Sequence, residues 1–285
     1  MDIEKVYSDL KTNFPNSEIY QNHILAPYTT VKIGGPADIF IHTKSSEELK
    51  QILQFLTGED NIFSLSSQEI TILGNGSNVL ISDSGIRGIV IKNSSDKIEI
   101  LPDNKVKVDS GVQLPQLINF TLDHNLLGLE EFAYIPSTIG GAIAGNIHGD
   151  DKHLFSQFID SIDKTNDFII SATLQLTLGD STSAKQKVQE IIHKKSLIQS
   201  MNSLGSVFKN TPNQDPSGMI IDQKLNLKGY SIGDAQISPK HGNFIINNGH
   251  ATASDYFKLI KFIQTQAKEK LNIELEPEIK FLGKF

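Results

Sequence analysis

Two short β-branched blocks bounded by glycine, EITILG (69–74) and GIVIKN (88–93), flank the segment LGNGSNVL (73–80). This order constrains the fold more than any other feature of the chain. A strand that runs through alternating glycines into a second extended stretch (VLIS, then GIVI) is not the dinucleotide motif in which a third glycine opens a helix. Successive backbone N–H groups in such a turn form an anion nest suited to a pyrophosphate. The same residues also suit a plain structural hairpin. Two more tight backbone sites, IGGPADIF (33–40) and STIGGAIAGNIHG (137–149), each have an ordinary packing explanation. Three in one half of a chain suggest a long, multiply phosphorylated ligand.

The remaining pattern is mixed α+β. Ser45 to Glu48 reads as a capping box, after which Leu49, Ile52, Leu53 and Leu56 recur at helical spacing. Helices are also expected over 113–125, opened near Pro115, and over 184–195, with the stretch 135–150 as a binding loop. Strands are expected over 168–178, around MIID, GYSIG and GNFIINNG, and over 274–283. A helix from a Ser254 cap carries Tyr256, Leu259, Ile260 and Ile263 on one face. The division falls near 180–205, giving residues 1–182 (two subdomains split near 95) and 183–285.

At 285 residues there is ample core for two domains. A net charge of −7 argues against a nucleic-acid partner, which needs a basic face. No apolar run approaches the roughly 18 residues that span a bilayer, and MDIEKVYSDLKTNF has no signal-peptide core. A cytoplasmic monomer is expected. The absence of cysteine excludes disulfides and thiolate chemistry, and no histidine–carboxylate pattern suggests a metal. Of the 26 basic residues only Arg87 is an arginine.

Taken together, YTTVKIGGPADIF, ILGNGSNVLISDSGIRGIVI, GLEEFAYIPSTIGGAIAGN, GSVFKN and LEPEIKFLG resemble, in this order, the UDP-N-acetylenolpyruvoylglucosamine reductase family. The likeness runs from about residue 20 to residue 283. It implies an FAD-binding half of the vanillyl-alcohol-oxidase type and a smaller α+β substrate domain. It also implies NADPH as reductant, a nucleotide-sugar enolpyruvate as substrate, and hydride passing through FAD to the enolpyruvyl double bond in peptidoglycan precursor synthesis. By the same resemblance Gly74, Asn75, Gly76, Ser77 and Asn78 cradle the FAD pyrophosphate. Ile135, Pro136, Ser137, Thr138, Gly140, Gly141 and Ala142 lie along the flavin, and Ile33, Gly34, Gly35, Asn146 and His148 join the cofactor set. Ser206 falls on the proton donor and Glu278 on the glutamate of the L-E-P-E segment. Asn210 falls on a substrate contact, with Lys209 beside it. Read without the family, Ser206 is a turn hydroxyl, Glu276 shares the strand parity of Glu278, and His148 is a loop histidine.

The sequence departs from the family at two places. GNIHGDDKHLFSQ leads directly into FIDSIDK (158–164), so a segment after Gly149 is missing. Phe158 and Ile159 then stand where the family has tyrosine and the arginine that meets the substrate carboxylate. Lys209, Lys164, Lys194 and Lys195 are candidates to supply that charge. Ser137 also replaces the usual glycine. Two other readings follow from these departures: a flavin oxidase acting on another sugar-like substrate with His148 near the ring, and a flavoprotein that kept the fold without the chemistry.

Overall fold

The computed structural model describes residues 2–58, 63, 65–149, 153–198, 202–210 and 214–285. They form two compact units. The first comprises Met1–Gln21, Asp38–Asn75 and Gly88–Lys194, and the second Asn22–Ala37, Gly76–Arg87 and Lys195–Phe285. No helix among the described residues is long and apolar enough to cross a membrane.

In the first unit a four-stranded sheet runs in the order Glu18–Ile24, Pro36–Thr43, Ile86–Asn93, Ile70–Leu73, the last two parallel. The helices Ile3–Asn13 and Ser46–Thr57 bury Val6, Leu10, Leu49, Ile52, Leu53 and Leu56 with Ile39, Ile41, Ile89 and Ile91 of this sheet. The spacing of the apolar positions is what makes this one stripe. Ser45 caps the second helix, its Oγ accepting from Glu48 N at 3.1 Å. The return bond of the expected capping box falls one residue early, from Lys44 N to Glu48 Oε2 at 3.0 Å, because Glu48 also receives Ser17 Oγ.

The second sheet of this unit, Ile98–Leu101, Lys105–Asp109, Phe168–Gln175 and Ile159–Thr165, is antiparallel throughout. It shares a core with the helix Leu114–Asp123 and with Phe132 and Phe155. The expected loop over 135–150 contains a helix, Ile139–Gly145, whose small residues let it lie close to neighbouring backbone. The helix expected over 184–195 extends over Ser181–Ile198.

The second unit holds an antiparallel sheet in the order Ser203–Ser206, Phe244–Asn247, Ala235–Ile237, Ser231–Ile232, and a parallel pair, Val79–Ile81 with Lys280–Leu282. The long helix Ala253–Leu271 buries Tyr256, Leu259, Ile260 and Ile263, as its periodicity predicts. Its N-cap is Thr252 and not Ser254: Thr252 Oγ1 takes the amide of Asp255 at 3.0 Å. The amides of Ala253 and Ser254 go to the carboxylate of Asp83, at 2.7 and 2.9 Å. Thr252 N donates in turn to Asp255 Oδ2 at 3.1 Å, so all four orphan donors of that helix start are satisfied. MIID is helical, not extended. Ser217–Met219 starts a turn after Pro216, and Ile220–Lys224 continues it as a π-helical turn with Ile220 and Ile221 both in the core. Only Lys280–Leu282 of the expected final strand is paired as a strand, with an isolated bridge at Pro277 before it.

The turn before Phe244 positions the strand Ser203–Ser206. His241 stacks on Phe244 at 4.6 Å, and its Nδ1 accepts from Asn243 N at 3.2 Å, so the neutral ring carries its proton on Nε2. Burial first, then the nearby ammonium of Lys195, hold the imidazole below the ordinary histidine range, with Asp222 opposing.

Two expectations follow. Asp83→Ala removes an acceptor shared by two helix-start amides and costs about 1–2 kcal/mol in urea unfolding. His241 has a depressed pKa in the fold, so the unfolded chain binds the extra proton. Its contribution to stability is complete above about pH 6.5 and is lost as pH falls below the folded pKa. His241→Gln should therefore flatten the loss of urea midpoint between neutral and mildly acidic pH, and an unchanged slope would contradict the assignment.

Candidate active site

The fold assembles predicted residues within each unit, and the loop 74–78 passes from the first unit (Gly74, Asn75) into the second (Gly76, Ser77, Asn78). In the first unit the strand Ile70–Leu73 ends at Gly74, where an added Cβ would lie 2.4 Å from Thr138 Oγ1. Asn75 Nδ2 donates to Pro136 O at 2.8 Å, so the two glycine-rich segments are tied side by side. Thr138 is the N-cap of Ile139–Gly145, its Oγ1 accepting from Gly141 N at 3.3 Å. Gly140 N donates to Ser110 O at 2.8 Å, and a Cβ there would come within 3.1 Å of Ser110. Ser137, where a glycine is usual, is buried and turns its hydroxyl onto Thr138 O at 2.9 Å. Ala142 is in the core. Asn146 ends the helix in a left-handed conformation with φ of 41°.

Along 74–78 the backbone N–H groups of Asn75, Gly76, Ser77 and Asn78 form no hydrogen bond among the described residues. Gly76 sits at φ of 61°, where a side chain would be strained and would meet Tyr28 O at 2.3 Å. A run of unengaged amides on a bare backbone is the donor set a pyrophosphate requires. These residues fit FAD. His148 is exposed and forms an isolated antiparallel bridge with Leu154. Gly149 N donates to His153 O at 2.9 Å, closing the shortened segment, whose residues 150–152 lie outside the described residues.

Ile33, Gly34 and Gly35 form a packed turn of the second unit. Ile33 is in its core, and a Cβ on Gly35 would lie 2.1 Å from Asp83 O. Gly35 N donates to Ser82 O at 2.9 Å. Close approach of backbones accounts for both glycines there.

Ser206 ends the strand Ser203–Ser206. The pairing runs Ser203 to Ile246 but Ser206 to Phe244, so one extra residue bulges between them. Gly205, at φ of 75°, absorbs the bulge, and an added Cβ there would meet nothing within 4 Å. The bulge shifts side-chain alternation by one residue and leaves Ser206 half-buried. The following residues are clamped from both sides. Val207 N donates to Asn243 O at 2.9 Å, and Val207 O accepts from Glu278 N at 2.7 Å. Asn243 Oδ1 takes Phe208 N at 2.9 Å while its Nδ2 donates to Phe208 O at 2.8 Å. Asn78 Nδ2 reaches Glu278 O at 3.4 Å. Three predicted residues, Asn78, Ser206 and Glu278, are therefore linked through one stretch of main chain.

Glu276 and Glu278 are separated by their partners. Glu276 Oε1 holds Lys209 Nζ at 2.5 Å, and the two residues also pair by backbone, Lys209 N to Glu276 O at 2.9 Å. Asn210 Oδ1 accepts from Ser217 N at 3.0 Å. Phe158 and Ile159, at the family's tyrosine and arginine, pack against the core of the first unit, Phe158 edge-on to Phe132 at 6.0 Å. Arg87 donates to Ser84 O at 2.9 Å.

Two contributors were not singled out from sequence. Asn243 looks like a turn residue before a strand. Thr30 sits in the YTT run, and its Oγ1 donates to Ser203 O at 2.7 Å while its amide donates to Gly76 O at 3.2 Å.

A family model described as FAD binding domain matches residues 37–165, and one described as UDP-N-acetylenolpyruvoylglucosamine reductase, C-terminal domain, matches residues 196–282. A relative from Caldanaerobacter subterraneus named UDP-N-acetylenolpyruvoylglucosamine reductase is 34% identical, over 98% of this chain and 99% of its own. One of the same name from Listeria monocytogenes is 33% identical over 97% and 99%. The crystal structure of UDP-N-acetylenolpyruvylglucosamine reductase from Thermus caldophilus superposes with a TM-score of 0.76 at 26% identity, covering 94% of this chain and 99% of that one. On both halves and nearly its full length, the chain belongs to the UDP-N-acetylenolpyruvoylglucosamine reductase family.

Proposed function

We infer that Ser206 and Glu278 carry the proton chemistry of a reduction whose overall form the family sets. The reaction is the FAD-dependent, NADPH-consuming reduction of UDP-N-acetylglucosamine enolpyruvate to UDP-N-acetylmuramate, a step of peptidoglycan precursor synthesis. Bound FAD supplies the relay of hydride from NADPH to the terminal carbon of the double bond. The amides of Gly74–Asn78 and the Pro136–Ala142 segment would hold it, Gly34 and Gly35 shaping the neighbouring backbone of the second unit.

Hydride addition pushes the electron pair of the double bond onto the carbon bearing the carboxylate, giving an aci-carboxylate. That carbon then needs a proton. Ser206 Oγ donates it and recovers one from solvent. A serine hydroxyl is a weak acid, so its catalytic value lies in placement. The Gly205 bulge and the clamped peptides of Val207 and Phe208 fix the main chain on either side of this half-buried serine, and this is the observation that carries the assignment. Glu278 is fixed to the same main chain by its own amide. With Ile159 in place of the arginine, Lys209 is the cation of the second unit nearest in sequence to Ser206. Its pairing with the exposed Glu276 can be exchanged for a substrate carboxylate, as a point charge rather than a bidentate fork. Residues 1–182 would then serve the cofactor and 183–285 the substrate, in a monomeric cytoplasmic enzyme.

Ser206→Ala should leave the reduction of FAD by NADPH at its wild-type rate and slow oxidation by the enolpyruvyl substrate by roughly 10²–10⁴-fold in stopped-flow absorbance. Glu278→Gln should slow the same half-reaction. Equal rates in wild type and Ser206→Ala would remove Ser206 from the proton path. Lys209→Met is expected to raise KM about tenfold with little change in kcat, the pattern of a ground-state carboxylate contact.

A further inference from the structure

Among the lysines of the first unit, none of which the chemistry above uses, Lys92 is set apart by its place in the fold. Lys92 lies on the central strand Ile86–Asn93, between residues that are all buried. Ile89 and Ile91 face the helices, so Val90 and Lys92 lie on the other side of the sheet. No carboxylate pairs with this ammonium among the described residues. Its acceptor is the carbonyl of its own neighbour, Asn93 O, at 3.3 Å. Burial alone pulls the ammonium below the ordinary lysine range, with no opposing charge to restore it. A half-buried lysine without a counter-ion is costly to keep, and its position supplies a reason to keep it.

Lys92 is paired in register with Leu73, the last strand residue before Gly74. The next residue, Asn93, donates from Nδ2 to Ser110 Oγ at 2.8 Å, and Ser110 O receives the amide of Gly140 at 2.8 Å. Lys92 therefore stands between the strand end that opens the first glycine-rich loop and the residues that seat the second. Those two loops are themselves joined by Asn75 Nδ2 and Pro136 O. Neither the family motifs nor the reading of candidate residues includes it.

We propose that Lys92 is the counter-charge for the cofactor's pyrophosphate, the one formal anion of FAD, placed in register with the end of the strand that opens the first glycine-rich loop. The ammonium keeps donors beyond the one given to Asn93 O, and a phosphate oxygen would turn a charge without a partner into a charge-assisted pair. This rests on the reading of the two loops as the FAD site, and the experiment separates the two.

Apoprotein is titrated with FAD, ADP and riboflavin, using flavin fluorescence for FAD and riboflavin and calorimetry for ADP. Lys92→Met is expected to weaken FAD and ADP about 30-fold and to leave riboflavin unchanged, while Lys92→Arg stays within about fivefold of wild type. The urea midpoint of Lys92→Met apoprotein should equal or exceed that of wild type, because a desolvated charge is removed. Lys92→Gln, which keeps a polar side chain, should lose FAD affinity as Lys92→Met does. FAD affinity within about threefold of wild type in both Lys92→Met and Lys92→Gln would overturn the assignment, as would an equal loss for riboflavin and ADP. A wild-type apoprotein that takes up no FAD would overturn the reading of the loops, and Lys92 with it.

Discussion

The side chain of Asn243 makes both hydrogen bonds that a neighbouring strand would have made to Phe208, one to its amide and one to its carbonyl. Asn243 is buried, and its main-chain carbonyl also takes the amide of Val207. Replacing it with an apolar residue would leave a buried N–H and C=O unsatisfied, each costing about 1–3 kcal/mol. Everything argued for Ser206 depends on this clamp. The hydroxyl follows a glycine at positive φ, a position with little conformational restraint of its own. In the proposed reaction it would serve as an acid because the peptides immediately after it are hydrogen-bonded on both sides.

Lysine does nearly all the cationic work, and the single arginine, Arg87, is bound to main-chain carbonyl oxygen. Where the resemblance implies tyrosine and arginine, this chain has Phe158 and Ile159, partly buried against Phe132 and the surrounding core. On that reading a bidentate contact is exchanged for apolar packing in the first unit. The lysines that remain are point charges, and their effect depends on what neutralises them. Lys209 is held by Glu276, whereas Lys92 has only a carbonyl. The first suits a contact exchanged with substrate, the second a permanent site for an anion.

What could be read from sequence and what could not divides along the range of the interactions. The helix after Ser45 was legible because its cap and its stripe of Leu49, Ile52, Leu53 and Leu56 are local, and the strands around Gly74 and Gly88 because β-branched runs end at glycine. Ile220 and Ile221 misled for the same reason: a short β-branched run resembles a strand, but Pro216 and burial of both isoleucines set a helical turn. The cap of the last long helix was misplaced by two residues because Asp83, distant in sequence, serves the amides that Ser254 seemed to serve. At the site, GSVFKN and LEPE marked Ser206 and Glu278 by resemblance. The bulge at Gly205 and the role of Asn243 arise from strand pairing and have no local signature. Lys92 did leave one: a lysine in an otherwise apolar strand pattern.

The central claim is that this chain reduces an enolpyruvyl double bond although the family's arginine is absent. Purified FAD-loaded protein, reduced anaerobically with NADPH and mixed with UDP-N-acetylglucosamine enolpyruvate, tests it most directly. The account predicts rapid return of the oxidised flavin absorbance with one UDP-N-acetylmuramate formed per flavin. Flavin that stays reduced while the nucleotide binds would contradict it, leaving a family fold whose proton donor has no reaction to complete.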